Sequence, residues 1–151
     1  MKTIEEAIKS RFRNDKHKAI VNLLYTAKFM ESKIECFIKK HDLTHQQFNI
    51  LRIVRGANGK AVSLKYIKER MLDKMPDASR IVDKLYNKEL LKRVECPEDR
   101  RSVDITITQK GLELLADIDK YAPEMDAMLS MLDEKQLKIF NNLLDTLRAE
   151  E

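Results

Sequence analysis

One change of rhythm constrains this chain more than any other feature. Up to about Lys88 the apolar residues recur at three- and four-residue spacing, the signature of a helix face. Between Val103 and Thr108 they alternate instead, with Val103, Ile105 and Ile107 set against Asp104, Thr106 and Thr108, the period of a strand with one buried side. A second strand candidate, Leu91 to Cys96, comes first. Pro97, Glu98, Asp99, Arg100 and Arg101 make a charged turn between the two, so the pair reads as a hairpin.

The helical stretches ahead of the hairpin carry their own boundaries. Apolar positions from Ala19 to Ile38, among them Ile20, Leu23, Leu24, Ala27, Met30, Ile34 and Phe37, predict a helix of at least five turns. Met1 to Lys18 is dense in charge, with Ile4, Ala7, Ile8 and Phe12 at similar spacing, and reads as a short amphipathic helix or a partly ordered arm. Thr44 stands three residues before Gln47, a capping box that predicts a helix over His45–Arg55. Gly56, Asn58 and Gly59 break it, and Ser63 or Val62 opens a stretch with Leu64, Ile67, Met71 and Leu72 on one side. After the interruption at Pro76, Asp77 is placed to cap a helix from Ala78 to about Lys88. The order helix, helix, helix, hairpin is the outline of a winged helix-turn-helix.

Thr108 and Gly111 begin the last region. Leu114, Leu115, Ile118, Ala122, Met125, Met128, Leu129 and Leu132 mark one long helical face, which Pro123 is expected to kink. Asp133, with Gln136 three residues on, caps a final helix carrying Leu137, Phe140, Leu143, Leu144 and Leu147. The terminal helices hold more apolar surface than one small winged helix can cover, so they read as a dimer interface; the alternative is that they pack only on each other. The expected fold is therefore mainly α with a small β-hairpin, a winged helix-turn-helix over 43–108 flanked by dimerisation helices over 1–42 and 109–151.

Composition agrees with one compact, largely helical protein: 151 residues, 43% hydrophobic, 6% aromatic, no Trp, three Gly and three Pro. The net charge of +4 is unevenly spread, at +4 over residues 1–51, +6 over 52–101 and −6 over 102–151. A basic middle suits phosphate contact, and a solvated surface is the plain alternative. No apolar run approaches the ~20 residues of a membrane span, and Met1 to Ser10 lacks a signal-peptide core. A soluble, cytoplasmic protein is expected. Cys36 and Cys96 form no CxxC pair, and His17, His41 and His45 do not cluster with acids or thiols, so neither a disulfide framework nor a metal is expected. With no Gly-rich phosphate loop, nucleophile elbow or HExxH, the chain does not read as an enzyme, and no cofactor is expected.

Four pieces carry a resemblance to a known family: Leu43-Thr44 with Gln47 and Leu51; Arg80-Ile81-Val82-Asp83-Lys84-Leu85; Glu98-Asp99-Arg100-Arg101; and Ile107-Thr108-Gln109-Lys110-Gly111. In this order and spacing the run from Leu43 to Leu115 resembles the multiple-antibiotic-resistance regulator (MarR) family of bacterial transcription factors. The resemblance implies a homodimeric repressor or activator on a palindromic operator in double-stranded DNA, a repressor being favoured, with affinity lowered or altered by a small effector bound between the dimer helices and the winged domain. It implies Arg101 in the minor groove, Asp99 holding the wing tip by an ion pair, and Arg100 and Arg93 near the backbone. One departure stands out: the family often has Glu then Gly after the recognition helix, whereas Tyr86-Asn87-Lys88-Glu89-Leu90 has no glycine, so Asn87, Lys88 or Glu89 must make the turn, and Asn tolerates left-handed angles best.

Within the recognition helix Ala78, Ile81, Val82 and Leu85 can face the core, leaving Asp77, Ser79, Arg80, Lys84, Asn87 and Lys88 toward solvent or groove. Ser79 and Arg80 are candidates for base edges and Lys84 for phosphate, with Pro76 and Asp77 setting the start of the helix. Tyr25, Phe29 and Phe48 are candidates for an effector pocket, or plain core residues. Two other functions fit the sequence: a redox response through Cys36, which has Lys33, Lys39 and Lys40 nearby, and a winged-helix module that binds protein without DNA.

Overall fold

A computed structural model describes residues 2–72, 77–95 and 103–149. It forms two compact units, Met1–Ile118 and Asp119–Glu151.

The first unit begins with α1 (Ile4–Ile8), closed at its start by a Thr3–Glu6 capping box, and α2 (Asp15–Lys39), whose first turn is capped by Asn14. Most of α2 stands clear of the core; Ile38 is buried there, with Ile34 and Phe37 packed against the cluster. Next comes α3 (His45–Arg55), with the Thr44–Gln47 box formed as its sequence requires: the Gln47 amide nitrogen of the backbone donates to Thr44 Oγ1 at 3.2 Å, and the Thr44 N–H donates to Gln47 Oε1 at 3.0 Å. Gln47 is thereby satisfied although buried. Ser63, not Val62, caps α4 (Leu64–Arg70), leaving Val62 to bridge Ile105 through two 2.9 Å backbone bonds. Leu72 is not on the buried side; it is 78% exposed, because α4 ends at Arg70 and Met71 turns to extended backbone.

The helix α5 (Ala78–Asn87) buries Ala78, Val82 and Leu85. It leads into the antiparallel strands β1 (Leu91–Glu95) and β2 (Val103–Ile107), paired Leu91 to Ile107 and Arg93 to Ile105. The alternation read from sequence is realised: Val103 and Ile105 are buried and Asp104 is exposed. The charged turn between the strands lies outside the described residues. Ile50, Leu51, Val54, Ile67, Val82, Leu85, Leu91 and Ile105 form one cluster, each contributing about 1.5–3 kcal/mol by burial. Leu115 and Ile118 of α6 (Gln109–Asp119) join it, so α6 belongs to this core.

The turn after α5 is made without glycine by one of the three residues named for it, though not by the favoured asparagine. Glu89, not Asn87, takes the left-handed backbone at φ 61°. Its N–H donates to Tyr86 O at 2.8 Å and the Leu90 N–H to Leu85 O at 3.0 Å, the two bonds of a Schellman motif. That motif places the left-handed angle two residues beyond the last helical one, whatever residue stands there.

One long helix kinked at Pro123 was expected from Leu114 to Leu132, and the chain breaks there into shorter pieces instead. α6 ends at Asp119, α7 (Ala122–Asp126) carries Pro123 in its first turn, and a single 3-10 turn follows over Ala127–Leu129. The proline ring cannot accommodate a helical carbonyl four residues back, and that residue is Asp119. Asp133 and Gln136 then form the expected capping box of α8 (Glu134–Thr146).

Candidate nucleic-acid interface

The solvent face of α5 follows from its core face. With Ala78, Val82 and Leu85 buried, Ser79, Arg80, Lys84 and Asn87 emerge on the opposite side, all exposed. Asp77 occupies the N-cap position but makes no capping bond. Its φ of −101° and ψ of 24° depart from the extended geometry that aims a cap side chain at the first free amides. The carboxylate accepts a bond from Arg80 Nη1 at 3.3 Å instead. Arg80 stays 76% exposed at its side chain, so the weak pairing leaves the guanidinium available to a groove.

The wing strand adds a second basic element. Lys92, Arg93 and Val94 are exposed on β1. Arg93 reaches back to α5, where its Nη1 donates to Asp83 Oδ1 at 2.6 Å. On α4, the Arg70 guanidinium lies 3.5 Å from the ring centroid of Tyr66, a cation–π contact that holds it against its own helix. Pro76, Asp99, Arg100 and Arg101 lie outside the described residues.

The far end of α5 is tied down by contacts that sequence reading did not find. Lys88 Nζ meets the Asp42 carboxylate at 2.8 Å and also the Asp42 carbonyl, linking α5 to the loop after α2, where Asp42 adopts φ 55°. Glu89 pairs with Lys110 at 3.0 Å, and the Thr108 hydroxyl donates to the carbonyls of Glu89 and Leu90 while accepting from the Gly111 N–H. Apart from the local Gly111–Thr108 bond, the partners lie 18 to 46 residues apart, beyond the reach of local spacing rules.

The expected effector residues do not come together within one chain. Phe48 is a core residue, 7% exposed, while Tyr25 and Phe29 are exposed on α2. Tyr25 lies thirteen residues before Ile38, where α2 enters the core, or about 20 Å along the helix axis. Cys36 is exposed on α2. Of the lysines near it in sequence, Lys33 lies over the Phe29 ring at 5.5 Å and Lys40 over the Phe37 ring at 5.9 Å. Cys96 lies outside the described residues. No helix among the described residues is long and apolar enough to cross a membrane.

This arrangement recurs in solved structures. A mutant Escherichia coli MarR complexed with operator DNA superposes with a TM-score of 0.79 at 18% identity, covering 91% of this chain and 99% of that one. Bordetella bronchiseptica BpsR, whose DNA binding is regulated by 6-hydroxynicotinic acid, gives 0.75 at 22% identity, with 86% and 98% covered. At such identities the likeness establishes the fold. In sequence, the HTH-type transcriptional regulator MhqR of Bacillus subtilis (strain 168) is 35% identical over 108 residues, which span 71% of this chain and 73% of the relative. The family model for MarR matches residues 43–103, from the loop before α3 to the start of β2. The family model, which spans the helix-turn-helix and most of the hairpin, and a relative 35% identical over most of its length place this chain in the MarR family.

Proposed function

We propose that this protein is a homodimeric transcriptional regulator that binds a palindromic operator, inserting α5 of each protomer into successive major grooves and releasing DNA when a small organic ligand binds. The observation that carries the reading is the exposed face of α5: Ser79, Arg80, Lys84 and Asn87 stand opposite a fully packed face, beside a wing. Arg80 can pair bidentately with guanine and Lys84 can meet a phosphate. Pro76 and Asp77 lead into that helix; in the wing, Arg101 is assigned to the minor groove and Arg100 to the adjacent backbone, with Asp99 holding the tip by an ion pair. The protein acts by binding and not by catalysis, in the cytoplasm.

Dimerisation is assigned to residues 1–42 and 109–151, with 43–108 reading DNA. On α2, Ile20 and Leu24 are 60% and 62% exposed; Ile139 and Leu143 on α8 and Leu147 just after it are exposed, and none of the described side chains from Asp119 onward is fully buried. Apolar helix faces of this extent need a partner surface. A dimer also sets two α5 helices about one helical turn of DNA apart, as operator reading requires. Ligand control is supported by the BpsR likeness, and a ligand acts by favouring a dimer geometry that no longer matches the groove spacing.

The test is fluorescence anisotropy against duplexes that the protein itself selects from random-sequence DNA, repeated across salt concentrations. Expected is tight binding that weakens steeply with salt. A protein that enriches no sequence and shows no salt-dependent DNA binding is not an operator-reading regulator.

A further inference from the structure

Asp83 and Arg93 sit on different elements, and their pairing joins the two parts that must meet DNA together. The Asp83 carboxylate projects from the middle of α5, and Arg93 Nη1 donates to it at 2.6 Å from β1. Arg93 is fixed at its backbone too: it is the register partner of Ile105, which is fully buried and doubly bonded to Val62. Side chains alternate along a strand, so Arg93 shares a face with buried Leu91, while Lys92 and Val94 take the other. The guanidinium is thus directed along the helix-facing side of the wing and is already engaged by a carboxylate.

We infer that Arg93 is a positioning residue which, through Asp83, holds the wing strand at a set angle to the recognition helix, and that it is not a phosphate ligand. This rests on the operator-reading function proposed above. Both partners are close to half exposed, at 42% and 48%, so the pair adds little to folding stability. Its consequence lies in geometry, because a reading helix and a wing that drift apart cannot fit their two grooves at once.

The inference has a sign that simple electrostatics does not share. Asp83 is an acid on a surface turned to DNA. Removing it makes that surface more positive and frees an arginine, so charge alone predicts tighter binding to every duplex and a steeper salt dependence. Loss of positioning predicts weaker binding to the preferred sequence.

The experiment compares the wild type with Asp83→Ala, Arg93→Ala and the double variant. The probes are a fluorescent duplex selected by the wild type from random-sequence DNA and a scrambled duplex of the same length, titrated at several salt concentrations. Expected is a roughly five- to tenfold fall in the ratio of selected to scrambled affinity for each single variant, with the double variant no worse than either, since coupled partners act as one unit. Arg93→Ala keeps the wild-type salt slope, and all variants keep the wild-type melting temperature within a few degrees. The inference is overturned if Asp83→Ala tightens both duplexes alike, if the two losses add, or if Arg93→Ala lowers the salt slope by about one, the mark of a lost phosphate contact. A wild type that binds neither duplex removes the regulator reading itself, and the positioning role with it.

Discussion

Gly111 is the residue whose replacement by alanine should damage this fold most for its size. It lies in the first turn of α6, where the helix passes across the end of the α5–β1 turn. A Cβ built there collides with the Leu90 carbonyl oxygen and comes within 2.8 Å of Ile107 Cγ1. A flexible side chain could rotate away, but the carbonyl is backbone. It also accepts from the Thr108 N–H at 3.1 Å and the Thr108 hydroxyl at 3.1 Å. Alanine gains about 1 kcal/mol in helix propensity. Against this stand about 3 kcal/mol for overpacking against a rigid neighbour and about 1 kcal/mol for a hydrogen bond lost as α6 lifts away. The net is a destabilisation of about 3 kcal/mol, which lowers Tm by roughly 6–12 °C in a chain of this size. Circular dichroism melts at one fixed protein concentration measure it, because dimer stability depends on concentration. The other two glycines are internal controls. Gly56 sits at φ −62° with its nearest contacts at 3.4 Å, so Gly56→Ala stays within about 0.5 kcal/mol. Gly59 has open space but φ 82°, so Gly59→Ala costs about 1 kcal/mol from strain alone. If Gly111→Ala melts at or above the wild-type temperature, the close approach of α6 to Leu90 is wrong.

Other changes separate the remaining parts. Arg80→Ala should weaken binding to the selected operator by about 1–3 kcal/mol and relax preference at one base position, whereas Lys84→Ala should weaken binding to all sequences and lower the salt slope by about one; anisotropy titrations on selected and scrambled duplexes distinguish them. Thr44→Ala removes one side of the α3 capping box and should cost about 1 kcal/mol by urea denaturation. Glu89→Gly relieves a left-handed residue at the end of α5 and should stabilise by about 0.5 kcal/mol despite losing its exposed pair with Lys110. Leu143→Glu, on the exposed apolar face of α8, should shift the dimer toward monomer in light scattering; an unchanged mass excludes this face from the interface.

What could be read from sequence and what could not divide along a physical line. Capping boxes at Thr44 and Asp133, the core stripe of α5 and the alternation of β2 are decided within a few residues of one another, and each appears where its spacing puts it. Reasoning of the same kind misjudged the Asp77 cap and, among the three residues it named for the turn after α5, favoured Asn87 over Glu89, because both hang on backbone angles at a single position. It also extended one helix through Pro123, where the ring ends α6 four residues earlier. Wholly hidden were the ties between distant segments: Lys88 to Asp42, Asp83 to Arg93, Thr108 to Leu90, and the space that Gly111 leaves for a carbonyl. These ties converge on one structural unit, α5 with its wing. One group anchors the C-terminal end of α5, and the Asp83 pair joins its middle to the wing. A recognition helix held in this way can change its presentation to DNA only if its anchors move with it. The loop after α2 and the start of α6 are therefore the places where a change in dimer geometry would have to be felt.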